Sequence, residues 1–441
     1  MYLKKLLYEY FKIKENNSSI PREIIGGITT FMTMAYIVFV NPAILSKAGM
    51  DSSAVLVATA LSASFGSILM GLLANYPFAL APGMGLNAYF TYTVVLQLGF
   101  SWQAALGAVF ISGLIFFLLT LIRIRQLLIK GIPDSLKNSI SAGIGLFIAL
   151  IGLEQGGIIV RNDQTLIALG NLGEMGPLLS IAGIIIIAIL SARHIYGSIL
   201  IGIVSIWIIS IIIGDTTFNG FFNAPPSILP VFLKLDLKSA LDVGFYSIVF
   251  VILFVDLFDA TGTFIGVAKQ GGFMIGGELP RMTRALSVDA LTAMFGSLMG
   301  TSTTTVYVES TTGILAGGRT GLTAVIVGIL FLLSIFISPL ASSIPTYAIA
   351  PALVIVGAYM TQSIVEVDWG DFTECLPSFL LIIFMPFTFS IANGIVIGVI
   401  VYPLLKLFTG RLKETTVLLW ILAAIFILRF IYMGIHYGYS Y

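Results

Sequence analysis

The chain has 441 residues, 58% of them hydrophobic and 10% charged, with a mean hydropathy of +1.04. A soluble domain carries about 25% charge, so these figures exclude a soluble globular or disordered protein and leave a helical membrane protein. A net charge of +1, from 22 basic and 21 acidic residues, supplies no global field for nucleic acid. One cysteine, Cys375, and two histidines, His194 and His436, cannot build a disulfide framework or a Cys/His metal centre.

In chain order, the first residues are polar and charged (KKLLYEYFKIKENN), without the apolar core of a signal peptide. Crossing a hydrocarbon core of about 30 Å takes about 20 helical residues. Apolar runs then follow at 23–45, 52–74, 83–98, 102–122, 136–153, 178–192, 196–214, 243–267, 288–300, 309–317, 320–338, 345–361, 373–388 and 390–408, which makes fourteen, and a last run at 416–434 is left over. Two of them are too short to span: 83–98 follows PFALAP and 309–317 follows TSTTTVYV. Each reads as an extended stretch leading into half a helix. The 45 glycines fit helices that pack closely or break.

Basic residues concentrate on the cytoplasmic side of membrane proteins. With the N-terminus inside, seventeen Lys and Arg fall in inner segments, among them Lys12, Arg22, Arg123, Arg125, Lys130, Arg281, Arg284, Arg319, Lys406 and Arg411. Only Lys47, Arg161, Lys234 and Lys238 fall outside, and Arg429 lies in the last apolar run. The inner loop 362–374 carries Glu366, Asp368, Asp371 and Glu374 and no base, which leaves it neutral to the rule.

The chain also repeats itself. FGSILMG at 65–71 returns as FGSLMG at 295–300, each followed by an extended stretch and a Gly-rich short helix. Ile132-Pro133 and Ile344-Pro345 then precede long spans, and two closely spaced spans close each half. Seven spans per half put the two copies in opposite topology. An inverted repeat with a broken helix at the same place in each half is a secondary-transporter layout, with the substrate site near the midplane between the breaks. Non-helical backbone at that depth is tolerated only where it is buried in protein or lines a cavity.

Acids inside apolar runs are costly and mark function by default. Four stand out: Asp256 and Asp259 in FVDLFDATGTFIGVA, Asp289 at the start of the ninth run, and Glu309 at the second break. The other acids, at span ends and in loops, read as solvated. Glu309 begins a half helix, where free N–H groups stabilise a carboxylate; it either caps its own helix or accepts the N–H groups of a ligand, with Tyr307 and the Val308 N–H beside it. Asp256 and Asp259 lie on one helix face, so one is protonated or bonded to hydroxyls such as Thr261 or Thr263, and either could be structural. Asp289 reads as a residue that starts its helix or pairs with Arg284. In the first half, APGMGLNAYF at 81–90 contributes flexible backbone at Gly83 and Gly85, an amide at Asn87, and aromatic faces at Tyr89 and Phe90. Acid acceptors, an amide and aromatic faces suit a flat, neutral, N–H-bearing heterocycle and repel an inorganic anion. No HExxH, GxSxG or Walker loop is present, so an enzyme is not expected, and neither is a cofactor or metal.

GGITTFMTMAYIVFVNPAIL (26–45), APGMGLNAYF (81–90), FVDLFDATGTFIGVA (254–268) and GTSTTTVYVESTTGILAGGRTGLTA (300–324) together resemble the AzgA-like purine permeases of the nucleobase-cation symporter-2, or nucleobase-ascorbate, superfamily. The resemblance implies an all-α polytopic fold of fourteen spans in a seven-plus-seven inverted repeat, with two short strands at the broken third and tenth spans. It implies a cytoplasmic segment 1–22, a core domain of 23–125 (spans 1–4) and 240–340 (spans 8–11), and a gate domain of 126–239 (spans 5–7) and 341–410 (spans 12–14). Residues 411–441 depart from the pattern, and their placement stays open. The implied activity is proton-coupled import of adenine, guanine or hypoxanthine across the cell membrane. Glu309 then falls on the family's substrate-binding glutamate, Asp256 on its eighth-span acid, and Gly85 and Asn87 on its third-span motif, while Asp259 belongs to the pattern with no separate role. Purine base, protons and lipid are the expected partners, a homodimer is left open, and an anion transporter or channel of the same fold class is the alternative.

Overall fold

The computed structural model describes residues 2–122, 131–162, 164–218, 220, 222–241, 246–275 and 279–436. Arg123, Arg125, Lys130 and Asp242 lie outside the described residues, as do the side chains of Lys4, Thr261, Arg429 and His436. The first half runs α1 (Tyr2–Tyr10), α2 (Ile20–Met34), α3 (Ile37–Leu45), α4 (Ser52–Leu69), β1 (Leu80–Pro82), α5 (Met84–Ala88), α6 (Trp102–Leu121), α7 (Asp134–Gln155), a hairpin of β2 (Ile159–Asn162) and β3 (Leu166–Leu169), α8 (Met175–Ala192) and α9 (Ser198–Ile213). The second runs α10 (Tyr246–Gly271), α11 (Met282–Met299), β4 (Thr304–Val306), α12 (Ser310–Leu315), α13 (Gly321–Ser334), α14 (Ser338–Ser343), α15 (Thr346–Thr361), α16 (Phe372–Phe387), α17 (Ile391–Phe408) and α18 (Val417–His436). Among the described residues, nine helical stretches are long and apolar enough to cross a membrane, and three shorter apolar helices accompany them.

Local chemistry sets the boundaries. Asp51 caps α4 by accepting the Ala54 N–H at 2.7 Å, satisfying one of the free donors of the first turn. Each short broken helix is preceded by an extended stretch, as the sequence leads one to expect. The two strands pair with each other antiparallel, Leu80 opposite Val306 and Pro82 opposite Thr304. That pairing satisfies backbone groups that would otherwise be stranded in an apolar interior. The hairpin of β2 and β3 lies where the sequence suggests only a loop; its partners are local, and it is largely exposed.

Close backbone contacts hold the helices. A Cβ on Gly71 would lie 2.3 Å from the Gly321 carbonyl oxygen, and one on Gly145 would lie 2.6 Å from that of Gly357. Only glycine permits helices to meet at this spacing. Between α4 and α11, Phe65 and Phe295 stack with ring centroids 4.0 Å apart; these are the first residues of the two FGS copies.

Two expectations change. Helix α11 begins at Met282, ahead of the apolar run at 288, because Thr283, Arg284 and Ser287 extend it as a polar turn. Asp289 therefore lies about two turns inside α11 rather than at its start, and it is buried. Glu23 is not solvated: it is 0% exposed and binds the start of α13, in the other half of the chain, as described below. The last apolar run is helix α18, which packs Leu419, Leu422 and Ala423 inward and sets the edge of Phe426 on Phe250 and Phe254 of α10 at 5.5 and 5.9 Å.

Candidate functional site

The two breaks form one structure. Besides the strand ladder, Gly83 N donates to Thr303 O (2.9 Å), Tyr307 N to Ala79 O (3.0 Å), and Tyr307 Oη to Pro82 O (2.5 Å). Ser310 Oγ, at the start of α12, accepts from Ala79 N at 3.0 Å. Tyr307 is thus a brace between the breaks, with its hydroxyl committed to the backbone. Thr304 Oγ1 and Thr305 Oγ1, on the same strand, are buried and have no hydrogen-bond partner among the described residues.

A second layer of polar side chains fixes the breaks against α3 and α4. Asn87 Nδ2 donates to Asn41 Oδ1 (2.6 Å), and Ser302 Oγ donates to Asn87 Oδ1. Asn41 Nδ2 reaches Thr59 Oγ1 at 2.7 Å and Thr301 Oγ1 at 2.8 Å. Asn87 is 0% exposed and both ends of its amide are occupied. Buried amides satisfied in this way lock one backbone arrangement. Gly85 also faces protein: a Cβ there would lie 2.7 Å from Ile144 of α7.

The carboxylates divide by exposure. Glu309 is half-buried at the start of α12, and Tyr36 Oη, from the junction of α2 and α3, donates to its Oε1 at 2.7 Å. Its neighbour Val308 is 53% exposed. On α10, Asp259 is half-buried, and a Cβ on Gly83 would lie 3.6 Å from its Oδ2. Farther along the same face of α10, a Cβ on Gly262 or Gly266 would meet no described residue within 4 Å. Asp259, Gly262, Gly266, Val308 and Glu309 therefore border open space, whereas Asp256 is 1% exposed. Glu309, Asp259 and Val308 lie on the open side, whereas Tyr307, Asn87, Gly85 and Asp256 are buried behind it.

The residues missed in the sequence are the supports. Tyr36 and Asn41 sit inside GGITTFMTMAYIVFVNPAIL, where the helix breaks at Ala35-Tyr36 and Pro42 follows Asn41; a proline in an apolar helix signals freed backbone groups needing partners. Glu23 accepts the N–H groups of Arg319 (3.1 Å) and Thr320 (3.2 Å) and the hydroxyl of Thr323 (2.6 Å). It thereby fixes the start of α13 to α2.

A second acidic group lies far from the breaks. Oxygens of Asp371, Glu374 and Glu414 lie within 4.8 Å of one another, a spacing that could hold a metal ion. Lys406 already supplies the positive charge: it is 0% exposed, its Nζ 2.7 Å from both Glu374 and Glu414, and Arg411 binds Asp371 at 2.5 Å and Glu414 at 2.7 Å. Hydrogen bonds from Thr373 hold the Asp371 carboxyl well below the usual range, and the Arg411 guanidinium lowers that of Glu414.

The chain matches the permease family over residues 21–397. It belongs to that family. An adenine permease of Escherichia coli (strain K12) is 47% identical over 98% of this chain and 97% of its own length. A guanine/hypoxanthine permease of Bacillus subtilis (strain 168) is 44% identical over 96% of this chain and 99% of its own. Within the permease family, the resemblance to the AzgA-like purine permeases therefore holds along nearly the whole chain, and its members are transporters rather than enzymes. The transmembrane domain of a cyanobacterium bicarbonate transporter shares the fold, with a TM-score of 0.64 at 16% identity over 86% of this chain and 97% of that one.

Proposed function

We propose that this permease imports a purine base, adenine, guanine or hypoxanthine, by proton symport across the cell membrane, with its N-terminus on the cytoplasmic side. The observation that carries this reading is Glu309. It is a half-buried carboxylate at a helix break, with one oxygen held by Tyr36, bordering open space. Permeases named for adenine and for guanine/hypoxanthine are 47% and 44% identical to the chain, which supports the substrate class. The base lies in the opening, its N–H groups donating to Glu309 and Asp259, with the Val308 backbone beside them. A carboxylate aligned with two adjacent N–H donors is both strong and selective. An inorganic anion would meet two like charges here, which disfavours the anion-transporter alternative.

Asn87 acts as a positioning residue through the Asn41–Ser302 network, and Gly85 permits the core to approach α7 of the gate. Residues 23–125 and 240–340 form the core, and 126–239 and 341–410 the gate, in fourteen spans of a seven-plus-seven inverted repeat. The stacking of Phe65 on Phe295 and the antiparallel pairing of the two breaks support this symmetry. Coupling arises from protonation of Glu309 or Asp256, followed by movement of the core against the gate. Asp259 joins the base site because it faces the opening.

Counterflow of radiolabelled adenine, guanine, hypoxanthine and uracil in proteoliposomes, with and without a pH gradient, tests the reading. Purine exchange that is accelerated by an inward proton gradient is expected. Uracil transport without purine competition, or exchange indifferent to the gradient, overturns the substrate class or the coupling respectively.

A further inference from the structure

We propose that the cleft between the N-terminal segment and the basic ends of the core helices is a binding site for a phosphate-bearing ligand, separate from the base site. Two adjoining cavities of about 600 and 580 Å³ share Glu15 and Asn16 as a common wall. Lys12, Arg281 and Arg284 line the first, and Arg22 and Arg319 line the second. Five cations thus face one carboxylate, and Glu15 already lies 3.3 Å from Lys12. Among the described residues no carboxylate side chain pairs with Arg281, Arg284 or Arg22. A neutral purine gives such a cluster nothing to neutralise, whereas a phosphate accepts paired guanidinium N–H groups in matching geometry.

The walls of the cleft are held in place. Tyr10 Oη donates to Leu72 O at 2.9 Å, and Asn75 Nδ2 donates to Phe11 O at 3.0 Å. Phe11 and Ile13 are buried, so the N-terminal segment is docked on the core. Arg281 stands with its guanidinium 4.4 Å from the Tyr76 ring centroid, on a backbone with φ +59°. A non-glycine residue held there is strained, a cost that persists only where the surroundings over-determine it. Arg319 Nη1 is oriented by Gly271 O at 2.7 Å. Preorganised guanidiniums lose less freedom on binding than free surface arginines.

A cavity of this size admits an anionic lipid headgroup or a free phosphomonoester, and both present the same chemistry. The site also adjoins the inner end of α12, since Leu315, Ala316 and Gly317 line the second cavity. An occupant there would therefore touch the half helix that begins just after Glu309.

The test uses the full chain in phosphatidylcholine nanodiscs, with phosphatidylglycerol supplied as the lipid probe and AMP as the soluble one. Saturable binding of at least one probe at physiological salt is expected, weakened at least about tenfold in R281Q/R284Q and only partly restored in R281K/R284K, which returns the charge without the paired N–H geometry. Adenine binding, measured on the same samples, should be unchanged and shows that the double variant is folded. Phosphatidylglycerol binding alone assigns a lipid headgroup, and AMP binding alone assigns a soluble phosphate. Absence of saturable binding of either probe to the wild type, or undiminished binding to a double variant that still binds adenine, overturns the proposal. If the double variant does not fold, K12Q and R22Q are read in the same assay with the same criteria. Loss of adenine transport in the wild type would sink the base site and leave this one standing.

Discussion

The protein contains two groups of carboxylates with opposite fates. Around Lys406, three acids and two cations are closed into an ion-paired cluster, with Tyr402 Oη donating to Glu374 at 2.5 Å. At the breaks, Glu309 has only the neutral phenol of Tyr36 on one oxygen, and no cation pairs with it among the described residues. A charge already neutralised by protein holds the fold together. One left with a neutral donor is available to a ligand or a proton, and it can remain so only because the surrounding backbone is locked by other means. That locking is the work of the strand pair and the Asn41–Asn87 network.

The largest expected effect is at the open carboxylate. Glu309→Gln should reduce purine uptake at least about tenfold, the loss from about 1.5–3 kcal/mol of charge-assisted hydrogen bonding, with little change in thermal stability. Initial uptake rates and a melting curve on the same preparation check this, and normal transport by Glu309→Ala would remove the site assignment. The reverse pattern is expected at the closed cluster. Lys406→Met leaves carboxylates facing one another and should destabilise by about 3 kcal/mol, while adenine affinity in the surviving folded fraction is retained. Loss of affinity without loss of stability would erase the contrast.

A pH series sharpens it further. Asp371 and Glu414 are held below the ordinary carboxylate range, so their contribution to stability is complete above the unfolded value of about 4 and is lost as pH falls through the folded values. The melting temperature should thus hold steady from neutral pH downward and fall in strong acid. Asp371→Asn should lower it at neutral pH and flatten the acid fall; an unchanged acid profile would show that the cluster is not the source. The smallest effect is at Thr304, whose buried hydroxyl has no partner among the described residues. Thr304→Val should shift stability by under about 0.5 kcal/mol, and a large loss of uptake would instead place that hydroxyl on the substrate.

Much of the fold was legible in the sequence because a bilayer imposes a length and a polarity on every crossing. The apolar runs, the two extended stretches before short helices and the acidic residue at the second break can all be read along the chain. The supports of the site could not be read that way. Tyr36 meets Glu309 across 273 residues, and Asn41 meets Thr301 across 260. Neither residue stands out locally, since a tyrosine and an asparagine in an apolar run have many uses.

Taken alone, the sequence determined the membrane class, most of the apolar helical runs and the two extended breaks, and the residue types that could bind a base, since these follow from hydropathy, span length and the rarity of buried charge. Only the tertiary structure decided which acids are open and which are closed. Asp256 and Asp259 differ by three positions on one helix, yet one is shut inside the protein and the other borders the opening. Glu23 and Lys406, unremarkable at the ends of apolar runs, are buried by partners distant in the chain. The ionisation and availability of a carboxylate depend on what surrounds it in three dimensions, and local sequence does not encode that.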